Sequence, residues 1–197
     1  MSTAGLLLAA GAGRRMGGPK ALLRDARGVP FLDRAVGTLL DGGCATVTVV
    51  LGAGADDAVL LLEQAGWTED PVVDVVLARD WDEGMGASLR TGLSALLAGG
   101  DDTALVTLVD LPDVAAPVLR RVVAAGSGPG ALVRATYDGR PGHPVLLGRE
   151  HWAGVVATAR GDQGAREYLR RHPPLPCECG DLATGRDLDR PEDLAPE

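Results

Sequence analysis

Lysine is almost absent from this chain. Of 19 basic residues among 197, Lys20 is the only lysine. Aromatic residues are also scarce, at 3%. The core must therefore come from Leu, Val and Ala, which suits helices packed closely on a parallel sheet. Basic charge is outnumbered by 27 Asp and Glu, for a formal net charge of −8. That balance speaks against a nucleic-acid partner, which requires a basic face. It leaves room for a small anion held by a local cluster of Arg and backbone N–H groups. No apolar run approaches the ~20 residues that span a bilayer. The apolar stretch Gly5 to Ala10 has no basic residue before it, so neither a signal peptide nor a membrane partner is expected. Cysteines number three, with Cys44 remote from Cys177 and Cys179. An odd count at such spacing is no disulfide framework, and a reducing cytoplasmic setting is expected. The Cys-x-Cys pair lacks further ligands and reads as ordinary strand or loop residues.

Short apolar runs alternate with segments of helical spacing. Strands are expected at Gly5–Ala10, Thr46–Leu51, Val72–Leu77 and Thr103–Val109. Helices are expected at Pro30–Leu40, Asp56–Gly66, Ala87–Leu97 and Ala116–Ala125, then around Trp152 and from Asp162 to Arg171. Ala131–Tyr137 and Pro144–Leu147 read as two strands about a turn at Asp138-Gly139. The alternation predicts a three-layer, Rossmann-like α/β fold with a mostly parallel sheet, as one domain over residues 1–197.

In such sheets ligands bind beyond the carboxyl ends of the strands, so the loop after the first strand comes first. It runs Leu8-Ala9-Ala10-Gly11-Ala12-Gly13-Arg14-Arg15-Met16-Gly17-Gly18-Pro19-Lys20. Its glycines let backbone N–H groups approach an anion, and Arg14, Arg15 and Lys20 add positive charge. It is not a dinucleotide fingerprint: Met16 stands at the third glycine, and the second strand ends in Leu51-Gly52-Ala53-Gly54 without an acid. It is not a Walker loop either, because Lys20 is followed by Ala21 rather than Ser or Thr. Asp110 ends the strand Leu105–Val109, which puts a carboxylate at the same sheet edge.

The stretch from Leu8 to Lys20 resembles the signature of the nucleotidyltransferases related to the molybdenum-cofactor enzymes: Leu-Ala-Ala-Gly, a variable stretch, Arg-Met-Gly, then Pro-Lys. Further segments resemble the cytidylyltransferase branch of that family. They are Trp81 to Arg90, Val109-Asp110-Leu111-Pro112, Gly142-His143-Pro144-Val145, Gly161 to Arg166, and Asp187 to Leu194. The resemblance spans nearly the whole chain. It implies a magnesium-dependent enzyme that moves a nucleoside monophosphate, CMP from CTP being favoured, onto a phosphorylated acceptor such as molybdopterin, with release of pyrophosphate.

By that resemblance Lys20 and Arg15 are catalytic, and Leu8, Ala9, Ala10, Gly11, Gly13, Arg14, Gly17, Lys20 and Ser88 hold the nucleotide. Asp110 and Asp189 bind Mg²⁺, with Asp187 in reserve for Asp189. His143, Asp162 and Arg166 belong to the acceptor side. Asp162 and Arg166 are also spaced to pair along one helical turn. Gly86 and Ala87 stand where several members carry Ser. His151 and His172 receive no role, and Trp67 and Trp152 are read as packing residues. A GTP-using enzyme, a sugar- or polyol-phosphate transferase, an NAD(P)-dependent oxidoreductase of the same fold, and a non-catalytic partner of a molybdoenzyme are the alternatives.

Overall fold

The computed structural model describes residues 1–194. The expected strands form β1 (Thr3–Ala9), β2 (Thr46–Leu51), β3 (Val73–Leu77), β4 (Thr103–Leu108), β5 (Leu132–Tyr137) and β6 (Arg140–Gly148), and a further strand follows, β7 (Leu175–Glu178). They make one seven-stranded sheet in the order β3-β2-β1-β4-β6-β5-β7. The four strands β3, β2, β1 and β4 run parallel. Strand β6 is antiparallel to β4 and β5, and β7 lies parallel to β5.

Helices cover both faces. One core layer takes Leu7 and Ala9 of β1 with α1 (Phe31–Asp41), α2 (Ala55–Gln64) and α4 (Ala116–Ala124). The opposite layer takes Ala4, Leu6 and Leu8 of β1 with α3 (Met85–Leu96), α5 (Arg149–Thr158) and α6 (Arg166–Arg171). Successive side chains of β1 thus enter opposite layers, which is why its sequence is apolar throughout rather than alternating. Small residues bring the layers together: a Cβ on Gly92 of α3 would lie 2.5 Å from Leu6 and 2.9 Å from Val50. No described helix is long and apolar enough to cross a membrane.

Two expectations change. Strand β6 begins at Arg140, so the turn at Asp138-Gly139 is tight and His143-Pro144 lies inside the strand. The β5–β6 ladder shifts register between Arg134 and Thr136, opposite that segment. The expected helix from Asp162 to Arg171 is broken. Gly161–Gln163 form a 3-10 turn, Gly164 takes φ +53°, and α6 starts only at Arg166. Asp162 and Arg166 therefore do not share a helical face, and no ion pair joins them among the described residues.

The β5–β6 turn is tied to β7 by Glu178. Its carboxylate accepts from Thr136 Oγ1 at 2.7 Å and from the N–H groups of Asp138, Gly139 and Gly180 at 2.9, 3.1 and 2.9 Å. The Thr136 hydroxyl, then the Gly180 and Gly139 N–H groups, lower its pKa from 4.5 to about 2. A depressed carboxylate stabilises the fold above its unfolded pKa, and that contribution is lost as pH falls through the folded value. Urea midpoints should thus drop between pH 4.5 and about 2. In Glu178→Gln the midpoint at pH 6 should be lower and its fall on acidification shallower. Parallel acid profiles for the two proteins would discount this tether.

Candidate active site

The loop from Gly11 to Pro19 leaves the carboxyl end of β1 and turns back on itself. The carbonyl of Gly13 accepts from the N–H groups of Met16 at 2.8 Å and Gly18 at 3.3 Å. Gly13 has φ +55°, and a Cβ there would sit 1.9 Å from the Gly18 carbonyl oxygen, so only glycine fits. Met16 is buried. This curl delivers Lys20, the first residue of a 3-10 turn over Lys20–Leu22, to the mouth of the sheet.

There the Lys20 Nζ donates to Asp110 Oδ2 at 2.6 Å and to Asp189 Oδ1 at 3.1 Å. Arg15 approaches the other Asp189 oxygen at 3.5 Å. Asp110 follows β4 and is buried. Burial pushes its carboxyl above the ordinary carboxylate pKa, partly offset by the Lys20 ammonium. Burial also disfavours the Lys20 ammonium, but the hydrogen bonds and charges of Asp110 and Asp189 outweigh it, and its pKa lies above the usual value. The Asp189 carboxylate thus faces the loop. The N–H groups of Asp189 and Arg190 are taken up by Asp193 Oδ2, both at 2.9 Å. Asp187 lies near enough for its charge to act on Asp110. Among the described residues no cluster of three or more His, Cys, Asp or Glu converges as a closed metal cage.

Above this cluster opens a cavity of about 500 Å³. Leu8, Ala9, Gly11, Gly13, Arg14, Arg15, Lys20, Ser88 and Asp110, all named from the sequence, line it. Ala10 and Gly17 do not: Ala10 packs into the core, and Gly17 is an exposed turn residue with φ +81°. Trp81, Asp82, Glu83, Gly84 and Met85 form a wall that spacing did not single out. Trp81 also closes the tip of β2, since a Cβ on Gly52 would lie 2.6 Å from it. No acidic side chain has room there to hold a ribose. Likewise a Cβ on Gly86 would meet the Arg160 backbone at 2.7 Å. A serine side chain at this position is thus excluded.

A second pocket of about 300 Å³ adjoins the first, and Leu8, Met85, Leu108 and Asp162 line both. His143 and Arg166 line it, and so do Arg134 and Asp187. Burial, then Arg134 and Arg166, lowers the His143 pKa to about 4. The imidazole is therefore neutral near pH 7 and offers a hydrogen bond rather than a charge. His151 and His172 pack around Tyr168. Trp152 is buried and donates to the Leu147 carbonyl at 2.8 Å, and Trp67 donates to Asp33.

A model of the MobA-like NTP transferase domain matches residues 5–175. The chain belongs to the MobA-like NTP transferase family. Nicotine blue oxidoreductase from Paenarthrobacter nicotinovorans is 36% identical over 200 residues, covering 96% of this chain and 93% of that protein. Rv0371c from Mycobacterium tuberculosis H37Rv has TM-score 0.77 and 26% identity, covering 98% of this chain and 95% of that one. Its complex with manganese has TM-score 0.70 and 26% identity, covering 95% and 94% of the two chains. A nucleotidyl transferase from Methanothermobacter thermautotroptrophicus has TM-score 0.77 at 21% identity, over 98% of this chain and 94% of that one, a likeness of fold. The glycine-rich loop of this MobA-like chain thus sits in an α/β nucleotidyltransferase fold.

Proposed function

We propose that this protein transfers a nucleoside monophosphate, CMP from CTP in the favoured case, to a phosphorylated acceptor, with molybdopterin the first candidate. The observation that carries the reading is the meeting of Lys20, from the glycine-rich loop, with Asp110 and Asp189 at a cleft sized for a nucleotide. An acceptor phosphate oxygen would attack the α-phosphorus. One P–O bond forms, the bond to the β-phosphate breaks, and pyrophosphate leaves with the electron pair. Such transfers need alignment and charge neutralisation rather than covalent help. Loop N–H groups, Arg14 and Arg15 would hold the triphosphate. Lys20 would counter the charge that develops on the reacting phosphoryl group.

The Asp110 and Asp189 carboxylates converge on one cationic point, the Lys20 Nζ. Two carboxylates completed by phosphate oxygens and water suit Mg²⁺, and the manganese complex of Rv0371c supports a divalent ion here. When bound, the ion would draw charge from the phosphoryl oxygens. The preference for CTP rests on the Leu8-Ala9-Ala10-Gly11 form of the loop. A molybdoenzyme would be the natural recipient of the product.

A second reading has an observation of its own: the relative at 36% identity is named an oxidoreductase. Against it, the β2 tip has no acid and no room for one. Thermal-shift titrations with CTP, GTP, ATP, NADH and NADPH, each with and without Mg²⁺, separate the two. A ligand at 100 times its Kd adds about 2.7 kcal/mol of stability. Magnesium-dependent stabilisation, greatest with CTP, is expected. Stabilisation by NADH or NADPH alone would transfer the assignment to redox chemistry.

A further inference from the structure

Beyond the second pocket lies a shallower hollow of about 360 Å³. Arg134, Pro141, Arg166 and Leu169 line both, so the two adjoin, as the second pocket adjoins the nucleotide cleft. Arg170 joins Arg134 and Arg166 in lining the hollow. Arg166 and Arg170 are one turn apart on α6, where like charges repel. Arg134 comes from β5 and is only partly exposed. Its Nε donates to the Gly142 carbonyl at 3.0 Å, which leaves its terminal nitrogens for another acceptor.

What sets this cluster apart is that three arginines line one hollow. Arg15, Arg27, Arg90, Arg121 and Arg171 each meet a carboxylate. None of Arg134, Arg166 and Arg170 is in an ion pair among the described residues, on a chain with net charge −8. Asp162 and Asp187 line the second pocket but make no ion pair with them. Burial and then the charge of Arg166 both work against the Arg134 guanidinium. A partly desolvated guanidinium beside like charge is costly in the free protein, and an oxyanion removes that cost through charge-assisted hydrogen bonds. Between this cluster and the nucleotide cleft the lining is largely apolar, with Val106, Val145 and Leu147.

Taking nucleotidyl transfer as its basis, but not the choice of molybdopterin, whose far end is an uncharged pterin, we infer that the acceptor is anionic at both ends. One phosphate faces the nucleotide, an apolar or planar middle crosses the second pocket, and a second oxyanion group is bound by Arg134, Arg166 and Arg170. The probes are alkane α,ω-bisphosphates of graded chain length and the matching alkyl monophosphates. Their affinities for the full chain are measured by calorimetry with CTP and Mg²⁺ present. The best bisphosphate should bind at least about tenfold more tightly than its monophosphate, as expected for one added hydrogen-bonded ionic contact. Arg166→Gln/Arg170→Gln should abolish that preference. Arg27→Gln/Arg120→Gln, which removes the same two charges outside both pockets, should keep it. Equal affinities along the whole series, or a preference that survives Arg166→Gln/Arg170→Gln, would overturn the inference. The thermal shift of the wild-type protein with CTP stands apart from this result. A normal CTP shift with no bisphosphate preference removes the distal site alone, whereas loss of the CTP shift removes the underlying reading.

Discussion

Lys20→Ala should lower nucleotidyl transfer, followed by pyrophosphate release, by ~100–1,000-fold, the usual cost of deleting one well-placed donor to developing charge. The same substitution should reach the fold. Only 10% of the Asp110 side chain is exposed, and its contact with Lys20 is 2.6 Å long. Removing the ammonium leaves a buried carboxylate short of its donor, which costs about 1–3 kcal/mol in urea unfolding. Adding Asp110→Asn to Lys20→Ala should recover most of that stability, because the buried group is then neutral, yet restore no turnover. Lys20→Arg should not rescue either, since a planar fork cannot replace a compact charge placed between two carboxylates. Ordinary turnover in Lys20→Ala would remove Lys20 from the chemistry.

Asp110→Asn should weaken divalent-ion binding by at least 10–100-fold, a loss already seen when only the outer partners of metal ligands are changed. Free Mn²⁺ measured by electron paramagnetic resonance in the presence of CTP gives this number without reference to turnover. Turnover should fall with it, and more Mg²⁺ should be needed to reach half-maximal rate. The amide keeps the shape of the side chain, so the α/β structure and the cleft should persist. If Asp110→Asn binds Mn²⁺ like the wild type, Asp189 and the nucleotide suffice and Asp110 is a partner of Lys20 alone.

Strands β1, β2 and β4 were legible because burial on both faces makes them continuously apolar. The glycine-rich loop was legible because its glycines and its one lysine have few structural alternatives. Local pattern is weaker where tertiary contact decides. Strand β6 starts at Arg140, in a stretch of Arg, Pro, Gly and His that pairing with β5 holds extended. Gly164 breaks the helix expected from Asp162, and no spacing rule announces its positive φ. The wall from Trp81 to Met85 was visible as part of a resembling segment, but its place in the cleft depends on packing against Gly52 and residues 160–162. Arg134 gave no signal, since a lone arginine in a strand reads as a solvated side chain. Lys20, Asp110 and Asp189 were each picked out, but their meeting spans 90 and 169 positions of chain. Their hydrogen bonding is a fact of three dimensions only.

The solitary lysine has a practical consequence. Its ε-amine is the only one in the sequence, its side chain is 18% exposed, and two carboxylates hold it protonated in place. An acylating reagent therefore meets a single ε-amino target in the whole molecule, at the floor of the cleft. The rate at which that one nitrogen is modified becomes a gauge of whether the cleft is filled, readable without any assay of catalysis from the mass of the peptide that carries Lys20, apart from acylation of the exposed Met1 α-amine.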